Sequence, residues 1–142
     1  MTFAKRIDQI INECSELSYD QLRFKALRSY NTVLNCCKNF FSTQSAARES
    51  LLRFMIFFAI LDNDIDEDEF RLIEYVYENI DFYDAVNMAS SLSIKKVYDS
   101  YCDIIHRLPD YEAAAMVELC ACIMFSDGGL TRKEYDFIKS HA

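Results

Sequence analysis

The sequence predicts an all-α protein: a compact bundle of about seven to eight helices containing an internal duplication of helix–Asp turn–helix hairpins. Three observations carry that prediction. Apolar residues recur at spacings of three and four along most of the 142 residues, which is helical periodicity. Two Gly and one Pro are too few turn formers for a many-stranded sheet. The stretch Leu61–Ile73, LDNDIDEDEFRLI, returns 65 residues later as Ser126–Ile138, SDGGLTRKEYDFI. Between the copies Asp62 pairs with Asp127, Ile65 with Leu130, Glu69 with Glu134, Phe70 with Tyr135 and Ile73 with Ile138.

Taken in order, Phe3, Ile7, Ile10, Ile11 and Cys14 make residues 3–15 one amphipathic helix. Ser18 and Gln21 read as a capping box, in which each side chain satisfies the other residue's backbone N–H. They open a long helix to about Phe41, with Leu27, Tyr30, Leu34, Cys37 and Phe41 as its core-facing stripe. After the polar break Ser42–Ser45, a helix runs from about Ser45 to Leu61; beyond Arg53 it is apolar on every face and should lie at the buried centre. Asp66 and Glu69 form a second capping box, starting a helix to about Asn79 with Phe70, Ile73, Val76 and Tyr77 inward. Asp84–Ser90 predicts a short helix. Ser93 is placed to cap a helix from Ile94 to about Arg107 that buries Val97, Tyr101, Ile104 and Ile105. Pro109 suits the first turn of the next helix, which from Ala113 to Phe125 carries only Glu118 as a charge. Asp127-Gly128-Gly129 ends it, and Thr131 with Glu134 caps a last helix running to the chain end. The whole, 1–142, reads as one domain, with N-terminal helices in 1–44 and the duplicated core in 45–142. A chain of this length buries about two-thirds of the surface it exposes unfolded, so no disulfide or metal staple is required.

The net charge of −8 argues against a general nucleic-acid binder, which needs a basic face to neutralise phosphates. The charge is uneven: residues 1–48 hold seven Lys/Arg against four Asp/Glu, and residues 49–142 eight against nineteen. Docking of the basic part on the acidic part is the expected use, and a basic face left free for an anionic partner is the alternative. Lys5, Arg6 and Asp8 interrupt any secretory leader, so the six cysteines read as free thiols in a reducing cytosol. Leu51–Leu61 is 11 residues with Arg53 inside, too short for an integral membrane segment.

The candidate site is acidic. Six carboxylates fall between Asp62 and Glu69. Asp62, Asp64 and Asp66 match the opening of a calcium loop, but Glu67 stands where Gly is needed and Ile73 where a bidentate Glu is needed. This is not an EF-hand. A looser site for a hard divalent cation would use Asp62, Asp64, Asp66, Glu69, Asp127 and Glu134, since a cation relieves the repulsion of clustered carboxylates. The competing use is local: Asp62 and Asp127 can form Asx-turns, and Asp66/Glu69 and Thr131/Glu134 can cap helices. Asp64 and Asp68 are acidic without being needed for capping. Cys36-Cys37 and Cys120-x-Cys122 do not share a helix face, so neither pair grips a zinc ion, and core packing is expected of them. His106 and His141 lie near no nucleophile, and there is no glycine-rich phosphate loop, so no catalytic residue is named.

The repeated pattern is an apolar helix, an Asp-containing turn with Ile or Leu at its fourth position, then a Glu–aromatic pair. It stands here as Asp62-Asn63-Asp64-Ile65 with Glu69-Phe70, and as Asp127-Gly128-Gly129-Leu130 with Glu134-Tyr135. It resembles the TerB-like family, the tellurite-resistance protein TerB and the related domain of DjlA-type co-chaperones, over roughly residues 45–142. The resemblance implies an internally duplicated all-helical fold, bacterial and intracellular, in stress-response settings, with acidic residues suspected of binding metal. The matching positions are Asp62, Glu69, Asp127 and Glu134. Asn63 replaces the usual Gly, Asp64 and Asp68 are additions to the pattern, and the J-domain His-Pro-Asp tripeptide is interrupted in His106–Asp110.

The expected function is therefore a small cytosolic TerB-like, stress-associated adaptor or sensor, not an enzyme, binding a divalent cation (Ca²⁺, Mn²⁺ or Zn²⁺) at the acidic turns. The alternative is a metal-free protein–protein interaction module. In it the aromatic-rich helix from Tyr19 to Phe41 would contact an unidentified protein partner or a second copy.

Overall fold

The computed structural model describes residues 2–61, 65–78 and 80–140, and the described residues form eight α-helices. They are α1 (Phe3–Ser15), α2 (Tyr19–Cys37), α3 (Gln44–Ala59), α4 (Glu67–Val76), α5 (Phe82–Ser91), α6 (Ile94–Arg107), α7 (Asp110–Phe125) and α8 (Arg132–Lys139). The all-α expectation holds, and all eight helices contribute to one contiguous apolar core. Among the described residues no helix is long and apolar enough to cross a membrane.

Two helices occupy the middle. α3 buries Leu51, Leu52 and every residue from Phe54 to Ala59, as its sequence demands. It shares that position with α7, which packs against α1, α2, α3, α4, α6 and α8. The reason is side-chain size. Ala113, Ala114, Cys120, Ala121 and Cys122 are small and buried, so neighbouring backbones can approach α7 from several sides. α2 lies along it most extensively.

The duplicated hairpins, α3–α4 and α7–α8, clasp each other. Their first arms touch, and α4 also reaches α7. In return Phe137 of α8 sets its ring 5.6 Å from Phe57 and 6.3 Å from Phe58 of α3. Tyr101 of α6 completes this aromatic cluster, stacked on Phe137 at 5.6 Å and edge-on to Phe58 at 5.2 Å.

Helix starts follow the sequence closely. Ser18/Gln21, Asp66/Glu69 and Thr131/Glu134 all form reciprocal capping boxes. Thr2 and Thr43 cap α1 and α3, and Asp81 caps α5, which begins at Phe82, two residues before the expected Asp84. Ser93 precedes α6 but makes no side-chain cap bond, and Pro109 occupies the cap position itself rather than the first turn. Helix ends are less faithful. α2 stops at Cys37, not near Phe41, because Asn39 and Phe40 N–H groups turn back to the Cys36 and Cys37 carbonyls (3.3 and 2.8 Å). α4 stops at Val76, not near Asn79, where Tyr77 goes extended (φ −118°, ψ 96°) under the Arg48 guanidinium.

The expected basic-on-acidic docking centres on Glu118. Ser29 Oγ donates to it at 2.6 Å, and Lys25 and Arg28 lie at 3.6 and 3.8 Å. Arg23 and Arg48 instead lie over tyrosine rings, and Lys139 pairs in the opposite sense with Asp8. All six cysteines are free, with Cys14, Cys37, Cys120 and Cys122 buried.

Because Phe58 is fully buried at the clasp, Phe58→Ala is expected to cost about 3–5 kcal/mol of unfolding free energy in urea denaturation. Tyr111→Ala, at a ring 71% exposed, is expected to stay within about 0.5 kcal/mol of the wild type.

Candidate functional site

The two elbows form the site. In the second, α7 ends at Phe125, and the Gly128 N–H donates to the Phe125 carbonyl at 3.0 Å. Gly128 takes φ +111°, a conformation that L side chains rarely adopt. Asp127 is exposed beside it. In the first elbow α3 ends at Ala59, half-buried Ile60 and Leu61 follow, and buried Ile65 precedes Asp66. Asp62 and Asp64, expected ligands, and the turn residue Asn63 lie outside the described residues.

The other expected ligands have visible local duties. Asp66 Oδ1 accepts from the Asp68 and Glu69 N–H groups at 2.7 and 3.4 Å. Glu69 Oε1 accepts from the Asp66 N–H at 3.2 Å, and Glu134 Oε1 from the Thr131 N–H at 3.0 Å. The capping use anticipated for these residues is thus present in both copies.

Burial was not visible in the sequence. Glu69 and Glu134 are each 3% exposed, whereas Asp66 is at the surface. Burial pushes the Glu69 carboxyl up to about 8, opposed by its bond from the Asp66 N–H and reinforced by the negative charges of Asp127, Glu134 and Asp66. The clasp of the hairpins therefore brings Asp127 and Glu134 within electrostatic reach of Glu69. A carboxyl in this setting holds a proton near neutrality, or surrenders it to a cation that restores the charge balance. Among the described residues, no three His, Cys, Asp or Glu side chains are grouped closely enough to hold a metal ion.

The cysteines offer no reactive thiol at this site. Burial pushes Cys37 up to about 12 and Cys120 well above its ordinary value, the latter also by facing Glu134. His106 is exposed near the end of α6, and His141 lies outside the described residues.

A second feature escaped the sequence reading. α3, α5, α6 and α8 enclose an open apolar groove of about 1190 Å³, floored by Phe57 and Phe137 and walled by Phe82, Val86 and Ile94. Its signal lay in α5, FYDAVNMASS, where five apolar residues accompany only one buried position, Ala85.

Glu69→Gln is expected to leave the capping box intact, since Gln21 fills the same role in α2. A carboxyl with a folded value near 8 and an ordinary value of 4.5 binds more protons folded than unfolded between those limits. Wild-type stability should therefore fall as pH rises through that window, at up to about 1.4 kcal/mol per pH step. The variant should show a flatter profile in denaturant melts, and an unchanged slope would contradict the burial argument. Comparison with family models, curated proteins and solved structures found no match to this chain.

Proposed function

We propose that this chain is a non-catalytic adaptor or sensor domain of the TerB-like kind, cytoplasmic and stress-associated, whose facing elbows respond to a divalent cation. The observation that carries the reading is the environment of Glu69: a buried carboxyl pushed up to about 8 and facing Asp127 and Glu134 of the other hairpin. Helix capping does not demand this, because Gln21 forms the same box without charge. Negative charge is concentrated where the two hairpins meet, so a bound cation would tighten the clasp. It would displace the Glu69 proton, which couples affinity to pH. Asp62 and Asp64 adjoin this elbow in sequence and are the additional carboxylates proposed to complete the coordination.

Calorimetric titration with Ca²⁺, Mn²⁺ and Zn²⁺ tests the reading. One of these cations should bind the wild type, with affinity rising as pH approaches 8, and should lose that heat in the Glu69→Gln, Glu134→Gln double variant. Identical heats for both proteins would remove the cation from the proposal.

A metal-free interaction module is the second reading, and Phe24 favours it. This ring is 61% exposed on α2 and edge-on to Tyr75 at 6.1 Å, with Arg23 alongside, over Tyr75 at 4.7 Å. Other aromatics of the stretch from Tyr19 to Phe41, Tyr30 and Phe41, are buried and half-buried in the core, as their place in the core-facing stripe requires. Light scattering should show mass rising with concentration for the wild type and a constant monomer mass for Phe24→Ser. Constant mass for both would leave α2 without a role in self-association.

A further inference from the structure

We propose that the groove between α3, α5, α6 and α8 binds a free anionic amphiphile with a long alkyl chain, a fatty-acid-type carboxylate. Shape comes first. The opening of about 1190 Å³ slightly exceeds the roughly 300–1,000 Å³ typical of small-molecule sites. Its floor is deep, because Phe57 and Phe137 are only 1% and 9% exposed and belong to the clasp's aromatic cluster. Its walls are apolar and wet: Phe82, Val86, Ile94 and Tyr98 are 45%, 37%, 49% and 37% exposed. A monomeric globular chain gains by covering such a surface.

Charge then selects the occupant. In a chain of net charge −8, the charged residues among the described lining are Lys95 and Lys133; Leu61 and Ile65, which border Asp62 and Asp64 in sequence, also line it. Both lysines are exposed, and neither makes an ion pair among the described residues. Each is the second residue of its helix, α6 or α8, so both ammonium groups reinforce the positive end of a helix dipole. A carboxylate held there leaves its alkyl chain over Phe57 and Phe137. A second copy of this chain is disfavoured by its own negative charge. α5 contributes Phe82, Val86, Ala89 and Ser90 to one wall while burying only Ala85, so an occupant would complete its packing.

The test uses the whole chain and myristate kept below its micellar concentration, followed by calorimetry. The expected result is saturable binding of one equivalent. The long-chain alcohol of equal length should bind about tenfold more weakly, since it lacks the charge. Lys95→Gln with Lys133→Gln should weaken myristate by about the same factor and leave the alcohol unchanged. Ala89→Phe, which fills the groove, should abolish both, with circular dichroism confirming the helical fold. Should that variant unfold, the surface lysine pair still decides. Glu69→Gln should bind myristate like the wild type, which separates this proposal from the cation reading of the adjoining elbow. No saturable binding, equal affinity for acid and alcohol, or an unaffected lysine variant overturns the proposal. So does binding of an acidic amphipathic peptide, or of phosphatidylglycerol vesicles, in place of monomeric myristate.

Discussion

Two helical stretches with almost no polar side chain, residues 54–59 of α3 and 113–125 of α7, have to be buried in the same small protein. The rest of the structure answers that demand. Neither can be covered by one neighbour, so they cover each other and recruit the remaining helices as a jacket. The division of labour follows side-chain volume. α3 supplies large rings at Phe54, Phe57 and Phe58, whereas α7 supplies Ala and Cys that let other backbones come close. Phe137 and Tyr101 then lock the large side, and Leu72 and Ile73 occupy fully buried positions in the other hairpin.

The clasp has an electrostatic consequence. A chain must change direction after each buried helix, and here both reversals use an acid three residues into the following helix. Each acid is satisfied locally by a backbone N–H. Clasping then removes both from water and aims them at the same neighbourhood, where Asp127 adds to the repulsion. The elbow thus forms with a buried acid, Glu69, whose proton is held by burial and by its acidic neighbours. The groove adjoins the first elbow through Leu61 and Ile65, and its own chemistry is the reverse: apolar walls with two ammonium groups that make no ion pair among the described residues.

What could be read in advance divides along physical lines. The three capping boxes were legible because their partners sit three residues apart, and no distant part of the chain decides them. The stripes of α1 and α6 were legible for the same local reason. Helix ends at Cys37 and Val76 were not, because the following residues are drawn away by contacts such as Arg48 over Tyr77. The sharing of the centre by α7 depended on the space left by α1 and α2, which no window of sequence reports. Glu69 looked like a surface cap, and only the approach of the other hairpin makes it a buried acid. The groove has walls from four helices spread over residues 57 to 137, so no single segment announced it beyond the surplus apolar residues of α5.

The thiols of the core carry a last consequence. Cys14, Cys37, Cys120 and Cys122 are buried, and burial holds Cys37 and Cys120 in the unreactive protonated form. Oxidants and alkylating reagents attack the thiolate. Modification at Cys120 therefore has to wait for α7 to part from its neighbours. The sulfur atoms act as built-in clocks, and their rate of chemical ageing records how often the centre of the molecule comes open.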